Sequence, residues 1–417
     1  MEKIAFVFPG QGTHYVGMSR AFYEQFPIAR DTFEEANDVL GFDLKKLCFE
    51  GSLGELSAAK NAHAAIFITS IIAFRVYMKE IGICPQICAG HSLGEYSALT
   101  CSGAMRFPDA LKIVYQRSLI AQEIADEGNM GMTIIDGIDS GRVEEECKNL
   151  STEYDMAAIS CYNGSKQVAV SGHLDAVQKV EDRVLELGGQ ITPLIGSAPF
   201  HCQLMKPAAE RLKVELEKYS YGSIRYPVVS NLSGKPYSGS EEIVGSLMGQ
   251  IMNPVQWTKI MGYFKRFGVT LVIEMGPQNI LGKLLKTDMD RISTLCFDHK
   301  KDRQDLYAMF HQPRYRKLVP TVVTGCLTAA SATPSNNWNE TEYQKGVVEP
   351  YRKLQKIQNE LEKAQAEPTM EQMKEAIEML GLIFQSKKLP LDEQEKWFNR
   401  IYDESGTQYI FGGGHSR

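Results

Sequence analysis

The chain has 417 residues, of which 43% are hydrophobic and 23% are charged, a composition typical of a globular protein with two or three domains. A formal net charge of −6 argues against a nucleic-acid-binding protein. The longest apolar run, residues 64–74, is shorter than the stretch of about 20 residues that spans a membrane, and the amino terminus has no signal-peptide pattern. The nine cysteines lack the paired spacing of a zinc site. We therefore expect a cytoplasmic protein that binds no nucleic acid, membrane or metal.

The first element is a short apolar strand that ends in the loop Pro9–Gly12. A second apolar run, Ile87–Ala89, leads directly into Gly90–Glu95, which reads GHSLGE. The flanking glycines allow a sharp strand-to-helix turn that exposes the Ser92 hydroxyl and leaves main-chain N–H groups free for an oxyanion. This pattern predicts a serine nucleophile for acyl transfer, although a helix that merely begins near a serine would read the same way.

Residues 1–125 alternate between strand-like and helical patterns, which predicts an α/β domain with a largely parallel sheet. Between Gly131 and Ile195 the order becomes strand, helix, strand, strand, helix, strand, which predicts an inserted ferredoxin-like subdomain. We expect the active site in the cleft between the two subdomains. The predicted domains are an acyltransferase core at 1–126 and 199–312, the ferredoxin-like subdomain at 127–198, a helical extension at 313–411 and a disordered tail at 412–417.

Two further side chains are candidates for the same site. His201 follows another apolar strand and could act as general base for Ser92, although most histidines are structural. Arg117 lies on the amphipathic segment 110–124, where an exposed surface arginine is the alternative interpretation. Only proximity in space would join these residues to Ser92.

The last hundred residues change in composition. A Ser/Thr/Asn-rich stretch at 328–341 precedes a charged helical run at 343–367, and Pro368 marks a break. Thr369 and Gln372 form a plausible capping box for a following helix. That helix carries an apolar stripe, for which packing on the transferase core and docking of a synthase are equally good interpretations. The stripe consists of Met373, Ile377, Leu380 and Phe384.

Four motifs in one order resemble the malonyl-CoA:acyl carrier protein transacylases. They are Pro9–Gly12, Gly90–Glu95, Arg117 and the segment Phe200–Pro207. The resemblance covers about residues 1 to 300 and implies a large α/β-hydrolase-like domain with a parallel sheet, an inserted ferredoxin-like subdomain and a helical C-terminal extension. The extension is similar to the tails of freestanding trans-acting acyltransferases, which load polyketide or lipopeptide synthases.

The resemblance implies a catalytic dyad. Ser92 would take the malonyl group as an ester, and His201 would accept and later return the proton. In this family a main-chain carbonyl orients the histidine, so we expect the acceptor between Gln250 and Asn253. The kinetics should be ping-pong.

The resemblance also implies the substrate contacts. The backbone N–H groups of Gln11 and Leu93 would form the oxyanion hole. Arg117 would grip the free carboxylate of malonate bidentately. Phe200 would favour malonyl over methylmalonyl, because a smaller serine at this position goes with methylmalonyl in the family. His91 is a weaker candidate for substrate binding, with simple packing as the alternative.

The predicted function is transfer of a malonyl group from coenzyme A to the phosphopantetheine thiol of an acyl carrier protein, without a cofactor. A modular synthase is a further expected partner, through the C-terminal extension. One alternative is a hydrolase of the same fold that removes stalled acyl groups from carrier proteins, although such an enzyme should lack Arg117. The other is a non-catalytic scaffold, for which Ser92 and His201 would be needless.

Overall fold

The structure, a computed structural model, describes residues 2–289, 291–312, 320–364 and 366–411. The chain forms two compact units. One is made of Met1–Tyr77 and Pro85–Leu306, and the other of Met78–Cys84 and Tyr307–Arg417. The tail at 412–417, predicted to be disordered, lies outside the described residues.

Up to residue 310 the chain contains both strands and helices. The strands are β1 (Ile4–Phe8), β2 (Ile87–Gly90), β3 (Met130–Asp136), β4 (Ala157–Tyr162), β5 (Gln167–His173), β6 (Gln190–Pro193), β7 (Val228–Val229), β8 (Leu271–Glu274) and β9 (Ser293–Cys296). The α-helices are α1 (Arg20–Gln25), α2 (Pro27–Leu40), α3 (Leu44–Glu50), α4 (Leu53–Ser57), α5 (Ala59–Glu80), α6 (Leu93–Cys101), α7 (Phe107–Glu127), α8 (Ser140–Leu150), α9 (Leu174–Glu186), α10 (Lys206–Leu216), α11 (Ile243–Met252), α12 (Trp257–Phe267), α13 (Leu281–Asp288) and α14 (Lys300–Phe310). Short 3₁₀ turns lie at Gln203–Met205 and Ser240–Glu242.

A five-stranded parallel sheet forms the centre of the larger unit, in the order β7-β2-β1-β8-β9. Every residue of β1 and β2 is buried, as expected for central parallel strands that are covered on both faces. In the register between these strands, Phe8 pairs with Gly90. Because parallel neighbours end at the same edge of the sheet, the loop after β1 and the turn after β2 emerge side by side.

The second sheet is antiparallel, with four strands in the order β4-β5-β3-β6. With α8 and α9 it gives the order βαββαβ, and its strand order is that of a ferredoxin-like fold. An apolar core that includes Ile135, Val170 and Val180 joins the sheet to its helices. The predicted fold class, a parallel α/β sheet combined with a ferredoxin-like insertion, is therefore confirmed.

Helix α5 is the one helix of the described residues that is long and apolar enough to cross a membrane by length and composition. Of its most apolar window, 78% is buried inside the structure. The helix is apolar on nearly all sides because it is surrounded by protein, as a central core helix is.

The smaller unit contains the helical extension. Thr321 and Thr324 form a capping box at the start of its first helix. The last turns of this helix lie in the Ser/Thr/Asn-rich stretch, whose polar composition does not predict a helix. The predicted capping box of Thr369 and Gln372 is present. The helices are α15 (Val322–Ala332), α16 (Glu340–Tyr343), α17 (Glu349–Ala364), α18 (Met370–Ser386), α19 (Leu391–Glu404) and α20 (Gln408–Phe411), with a π-helical turn at Gln344–Val348.

The apolar stripe of α18 lies in the core of this smaller unit. Leu380 and Phe384 are fully buried, Met373 and Ile377 are partly buried, and the helix packs against α15 and α17. The stripe packs within the extension itself, so both interpretations, packing on the transferase core and docking of a synthase, are wrong.

Candidate active site

Ser92 lies on the sharp turn between β2 and α6. Its backbone has φ 52° and ψ −109°, a conformation that residues other than glycine rarely adopt. Glycines make the turn possible, because a Cβ atom at Gly90 would overlap the main chain of Gly94, and one at Gly94 would overlap the carbonyl of Phe8. A Cβ at Gly10 would come 2.5 Å from the His91 carbonyl oxygen. The turn therefore packs directly against the end of β1.

His201 lies in the loop after β6, also with a positive φ of 66°. Its Nε2 is 2.6 Å from Ser92 Oγ. Its Nδ1 is 2.7 Å from the main-chain oxygen of Gln250, to which it donates. The other residue proposed to orient the base, Asn253, instead donates from its side chain to the Gly249 carbonyl. Of the predicted range, the acceptor of the His201 hydrogen bond is therefore Gln250.

The environment keeps the imidazole of His201 neutral. Burial lowers its pKa to about 3, and the positive charge of Arg117 contributes in the same direction. A hydrogen bond to the Gln250 carbonyl opposes the shift. With Nδ1 protonated and bonded to that carbonyl, Nε2 is left with a lone pair that faces the Ser92 hydroxyl. This is the tautomer that a general base for Ser92 requires.

The loop after β1 brings Gln11 to the same pocket as Ser92. Among the described residues, the main-chain N–H groups of Gln11 and Leu93 have no hydrogen-bond acceptor. The Gln11 side chain is fixed on both sides, since its Nε2 donates to Ser197 Oγ at 3.0 Å and its Oε1 lies 3.3 Å from His63 Nε2. Both N–H groups therefore remain available to an oxyanion.

Arg117 is a buried cation at this site. Its side chain, on α7, is only 1% exposed, and its Nη2 lies 3.3 Å from Ser92 Oγ. The guanidinium stacks on the Phe200 ring at 4.5 Å and faces the Tyr96 ring at 5.6 Å. Burial lowers its pKa, and within the described ranges no carboxylate forms a salt bridge with it. A buried charge without a salt-bridge partner is costly, so this guanidinium could pair with an anionic group that entered the pocket.

The pocket in front of Ser92 lies between the parallel sheet and the ferredoxin-like subdomain. His91 contributes to its wall, but its Nε2 donates to Asn163 Oδ1 at 2.7 Å and its ring packs 5.5 Å from Trp257. His91 therefore both lines the pocket and packs against its neighbours. The residues that line the pocket are Gln11, His91, Ser92, Met132, Ile134, Cys161, Asn163, Ala169, Leu194, Phe200 and His201.

One residue that contacts Ser92 carries no signal in the sequence. Asn231, which is fully buried, accepts a hydrogen bond from the Ser92 N–H at 2.6 Å and donates to the Gly90 carbonyl at 2.6 Å. It follows the two-residue strand β7, the edge strand beside β2. So short a strand has no clear sequence signal, and only the sheet order places Asn231 beside Ser92.

The fold, with a serine on a sharp strand-to-helix turn 2.6 Å from a histidine, has the arrangement that acyl transfer through a serine would require. The model of the acyl transferase domain family matches residues 5–289. A malonyl CoA-acyl carrier protein transacylase of Bacillus subtilis is 34% identical over 406 residues, covering 94% of this chain and 99% of that protein. The chain therefore belongs to the acyltransferase family that includes the malonyl CoA-acyl carrier protein transacylases.

Other relatives match a smaller share of the chain. The malonyl CoA-acyl carrier protein transacylase of Escherichia coli K12 is 37% identical over 294 residues, covering 70% of this chain and 95% of that protein. The solved structure of the corresponding enzyme from Coxiella burnetii aligns with a TM-score of 0.72 at 31% identity, covering 75% of this chain and 98% of that one. A type II polyketide synthase malonyl-transacylase, solved in complex with its acyl-carrier protein, aligns with a TM-score of 0.71 at 34% identity, covering 74% and 99%.

Proposed function

We propose that this protein transfers a malonyl group from coenzyme A, through an ester on Ser92, to the phosphopantetheine thiol of an acyl carrier protein. The observation that carries the proposal is the buried guanidinium of Arg117, 3.3 Å from Ser92 Oγ and without a carboxylate partner among the described residues. A plain acyl chain would leave that charge unpaired, whereas the free carboxylate of malonate would neutralise it. The relatives, which are named as malonyl transacylases, support the same substrate.

In the first half-reaction, His201 Nε2 takes the proton of the Ser92 hydroxyl while Oγ attacks the thioester carbonyl of malonyl-CoA. The negative charge on the carbonyl oxygen is stabilised by the N–H groups of Gln11 and Leu93. As the tetrahedral intermediate collapses, the C–S bond breaks, and the thiolate of coenzyme A receives the proton from His201. The product is malonyl-Ser92.

The second half-reaction reverses these roles. The thiol of the carrier protein gives its proton to His201 Nε2 and attacks the ester carbonyl. The C–O bond to Ser92 breaks, and Oγ takes the proton back. Each substrate reacts with a different form of the enzyme, so the kinetics are ping-pong.

Arg117 also links substrate binding to the base. The charge of Arg117 helps to lower the pKa of His201. A bound malonyl carboxylate would offset that charge, so the pKa of His201 would rise when it needs to accept a proton. Phe200 covers one face of the guanidinium and narrows the space for a methyl branch. We therefore propose a preference for malonyl over methylmalonyl, with His91 as part of the pocket wall.

The proposal includes the remaining features of the chain. The reaction needs no cofactor, since the side chains and N–H groups named above supply the base, the nucleophile and the oxyanion donors. A cytoplasmic location is supported by nine cysteines that are all free. The proposed core is 1–126 with 199–312, the subdomain 127–198 and the extension 313–411.

We also propose that the protein is a freestanding enzyme that loads a modular synthase in trans. The match to the Bacillus subtilis transacylase, over 94% of this chain and 99% of that protein, supports an extension that belongs to a malonyl transacylase. Any contact of the extension with a synthase would have to use a face other than the buried stripe of α18.

Intact-protein mass spectrometry tests the proposal. The protein is mixed separately with malonyl-CoA, methylmalonyl-CoA and acetyl-CoA, and the same is done with Ser92→Ala. We expect a malonyl adduct on the wild type that is absent from Ser92→Ala, less methylmalonyl adduct and little acetyl adduct. An acetyl adduct that forms faster and decays quickly in water would instead indicate the hydrolase.

A further inference from the structure

The buried carboxylate of Glu95 lies in the first turn of α6, three residues after the nucleophile. It is fully buried, and within the described ranges it has no salt bridge to a basic side chain. Its Oε1 accepts hydrogen bonds from the Tyr237 hydroxyl at 2.6 Å and from the Asn231 N–H at 3.1 Å. Its Oε2 accepts from Gln250 Nε2 at 2.7 Å. Burial raises the pKa of Glu95 to about 7, and these donors oppose the shift.

Asn231 connects Glu95 to the main chain of the nucleophile turn. Its backbone N–H is bound by Glu95, while its side chain accepts from the Ser92 N–H at 2.6 Å and donates to the Gly90 carbonyl at 2.6 Å. The unusual backbone of Ser92, with φ 52°, is thus held by a residue that Glu95 itself holds. A strained backbone persists only where its surroundings over-determine it.

Gln250 connects Glu95 to the base. Its Nε2 donates both to Glu95 Oε2 and, at 2.9 Å, to the Ser92 carbonyl. Its own main-chain oxygen accepts from His201 Nδ1 at 2.7 Å. The Glu95 carboxylate therefore binds both Asn231 and Gln250. Together these two residues contact the N–H and the carbonyl of Ser92 and the Nδ1 atom of His201.

We propose that Glu95 is a positioning residue that holds Ser92 and His201 in reacting geometry through Asn231 and Gln250. It touches neither substrate nor the reacting atoms. The ionised carboxylate offers acceptors alone, which is what the donors of Tyr237, Asn231 and Gln250 require. The proposal rests on the proposed function only in taking Ser92 as the nucleophile.

The decisive variant is Glu95→Gln. The substitution keeps the shape but turns one oxygen into an NH₂ group, so one of the three donors must face another donor. Since misplacement of a reacting group by about 1 Å can cost on the order of 100-fold in rate, we expect the rate constant for acylation of Ser92 to fall roughly 10- to 100-fold. The half-saturating concentration of malonyl-CoA should not change, because Glu95 does not line the pocket and forms no salt bridge with Arg117 among the described residues.

The chain offers a matched control in Glu274. This glutamate is also buried, its pKa is also raised to about 7 by burial, and it accepts hydrogen bonds from the N–H groups of Ile280, Leu281 and Gly282. None of its partners contacts Ser92 or His201. Glu274→Gln should lower thermal stability without changing the acylation rate constant per folded molecule.

Acylation of Ser92 is followed with two reagents, at a pH above the raised pKa of Glu95. One is malonyl-CoA, in single-turnover rapid-quench experiments, and the other is a fluorophosphonate, which needs only an activated serine. Circular dichroism checks that each variant is folded to the same extent as the wild type. If the wild type reacts with the fluorophosphonate but not with malonyl-CoA, the proposed function fails while the role of Glu95 is still measured.

The proposal is supported if Glu95→Gln reacts more slowly with both reagents while its half-saturating concentration of malonyl-CoA is unchanged. The control variant Glu274→Gln must at the same time react at the wild-type rate. Reaction at the wild-type rate, or a loss equal to that of Glu274→Gln, overturns it. If Glu95→Gln does not fold, Tyr237→Phe decides the matter. This variant removes one donor and keeps the carboxylate, so a smaller loss of rate constant at unchanged half-saturation supports the proposal and wild-type reactivity overturns it.

Discussion

Replacement of Arg117 by methionine should separate substrate choice from stability. Methionine is unbranched and apolar, so it can occupy the space of the aliphatic part of the arginine side chain without carrying a charge. Removing one partner of a buried charge pair costs about 2–5 kcal/mol, so at about 3 kcal/mol kcat/KM for malonyl-CoA should fall roughly 150-fold. Acetyl-CoA has no carboxylate and should be used as well as before, or better. The ratio of malonyl to acetyl kcat/KM therefore collapses.

The same change should not destabilise the fold. The guanidinium is 1% exposed and, among the described residues, forms no salt bridge with a carboxylate. Its desolvation costs several kcal/mol, against a cation–π contact with Phe200 worth about 0.5–2 kcal/mol. We expect the free energy of unfolding of Arg117→Met, measured in urea, to equal or exceed that of the wild type.

Arg303 supplies the control, because it is another buried arginine that stacks on a phenylalanine ring, at 4.7 Å from Phe22. Its Nη1 donates to the Phe297 carbonyl at 2.7 Å and to the Asp298 carbonyl at 3.2 Å, so Arg303→Met removes two hydrogen bonds. That variant should lose about 1–3 kcal/mol of stability and keep the acyl preference. The reasoning is refuted if Arg117→Met keeps the malonyl preference, or if it loses malonyl and acetyl activity alike.

Three further predictions concern the base, the pocket wall and the nucleophile turn. Because burial lowers the pKa of His201 from 6.5 to about 3, its imidazole should stay neutral as the pH falls from 8 to 5; a ring-proton NMR signal that titrates near 6.5 would contradict this. Phe200→Ser should open the space beside Arg117 and change the malonyl-to-methylmalonyl kcat/KM ratio in favour of methylmalonyl, by a factor that corresponds to about 1–3 kcal/mol. An unchanged ratio would show that Phe200 does not determine this preference. Gly94→Ala forces a Cβ into the Phe8 carbonyl, so little folded protein should be recovered; a variant with wild-type melting temperature would show that the turn can relax.

Much of the fold could be predicted because its signals are local. The apolar run before Gly90 gave a strand, and the alternation of patterns between 131 and 195 gave the inserted subdomain within a few residues at each end. Ser92 carries a recognisable motif. For His201 and Arg117 the residue pattern alone favoured ordinary structural roles, and the resemblance to a family singled them out.

What could not be predicted depends on contacts between distant parts of the chain. Asn231 meets Ser92 across 139 positions of sequence, and no local pattern marks it. Glu95 belongs to the GHSLGE motif, yet its partner Tyr237 lies 142 positions away. The stripe of α18 was visible as a periodic pattern, but the pattern does not say which surface covers it; that depends on how α15 and α17 pack.

The central claim is that a malonyl group passes through Ser92 to a carrier thiol rather than to water. The most direct measurement isolates the malonyl-enzyme, adds an acyl carrier protein with or without its phosphopantetheine arm, and follows the radiolabelled malonyl group. We predict rapid transfer to the carrier that bears the thiol, none to the carrier without it, and slow release of free malonate. Release of malonate at the same rate whether or not the thiol is present would contradict the account and identify a hydrolase.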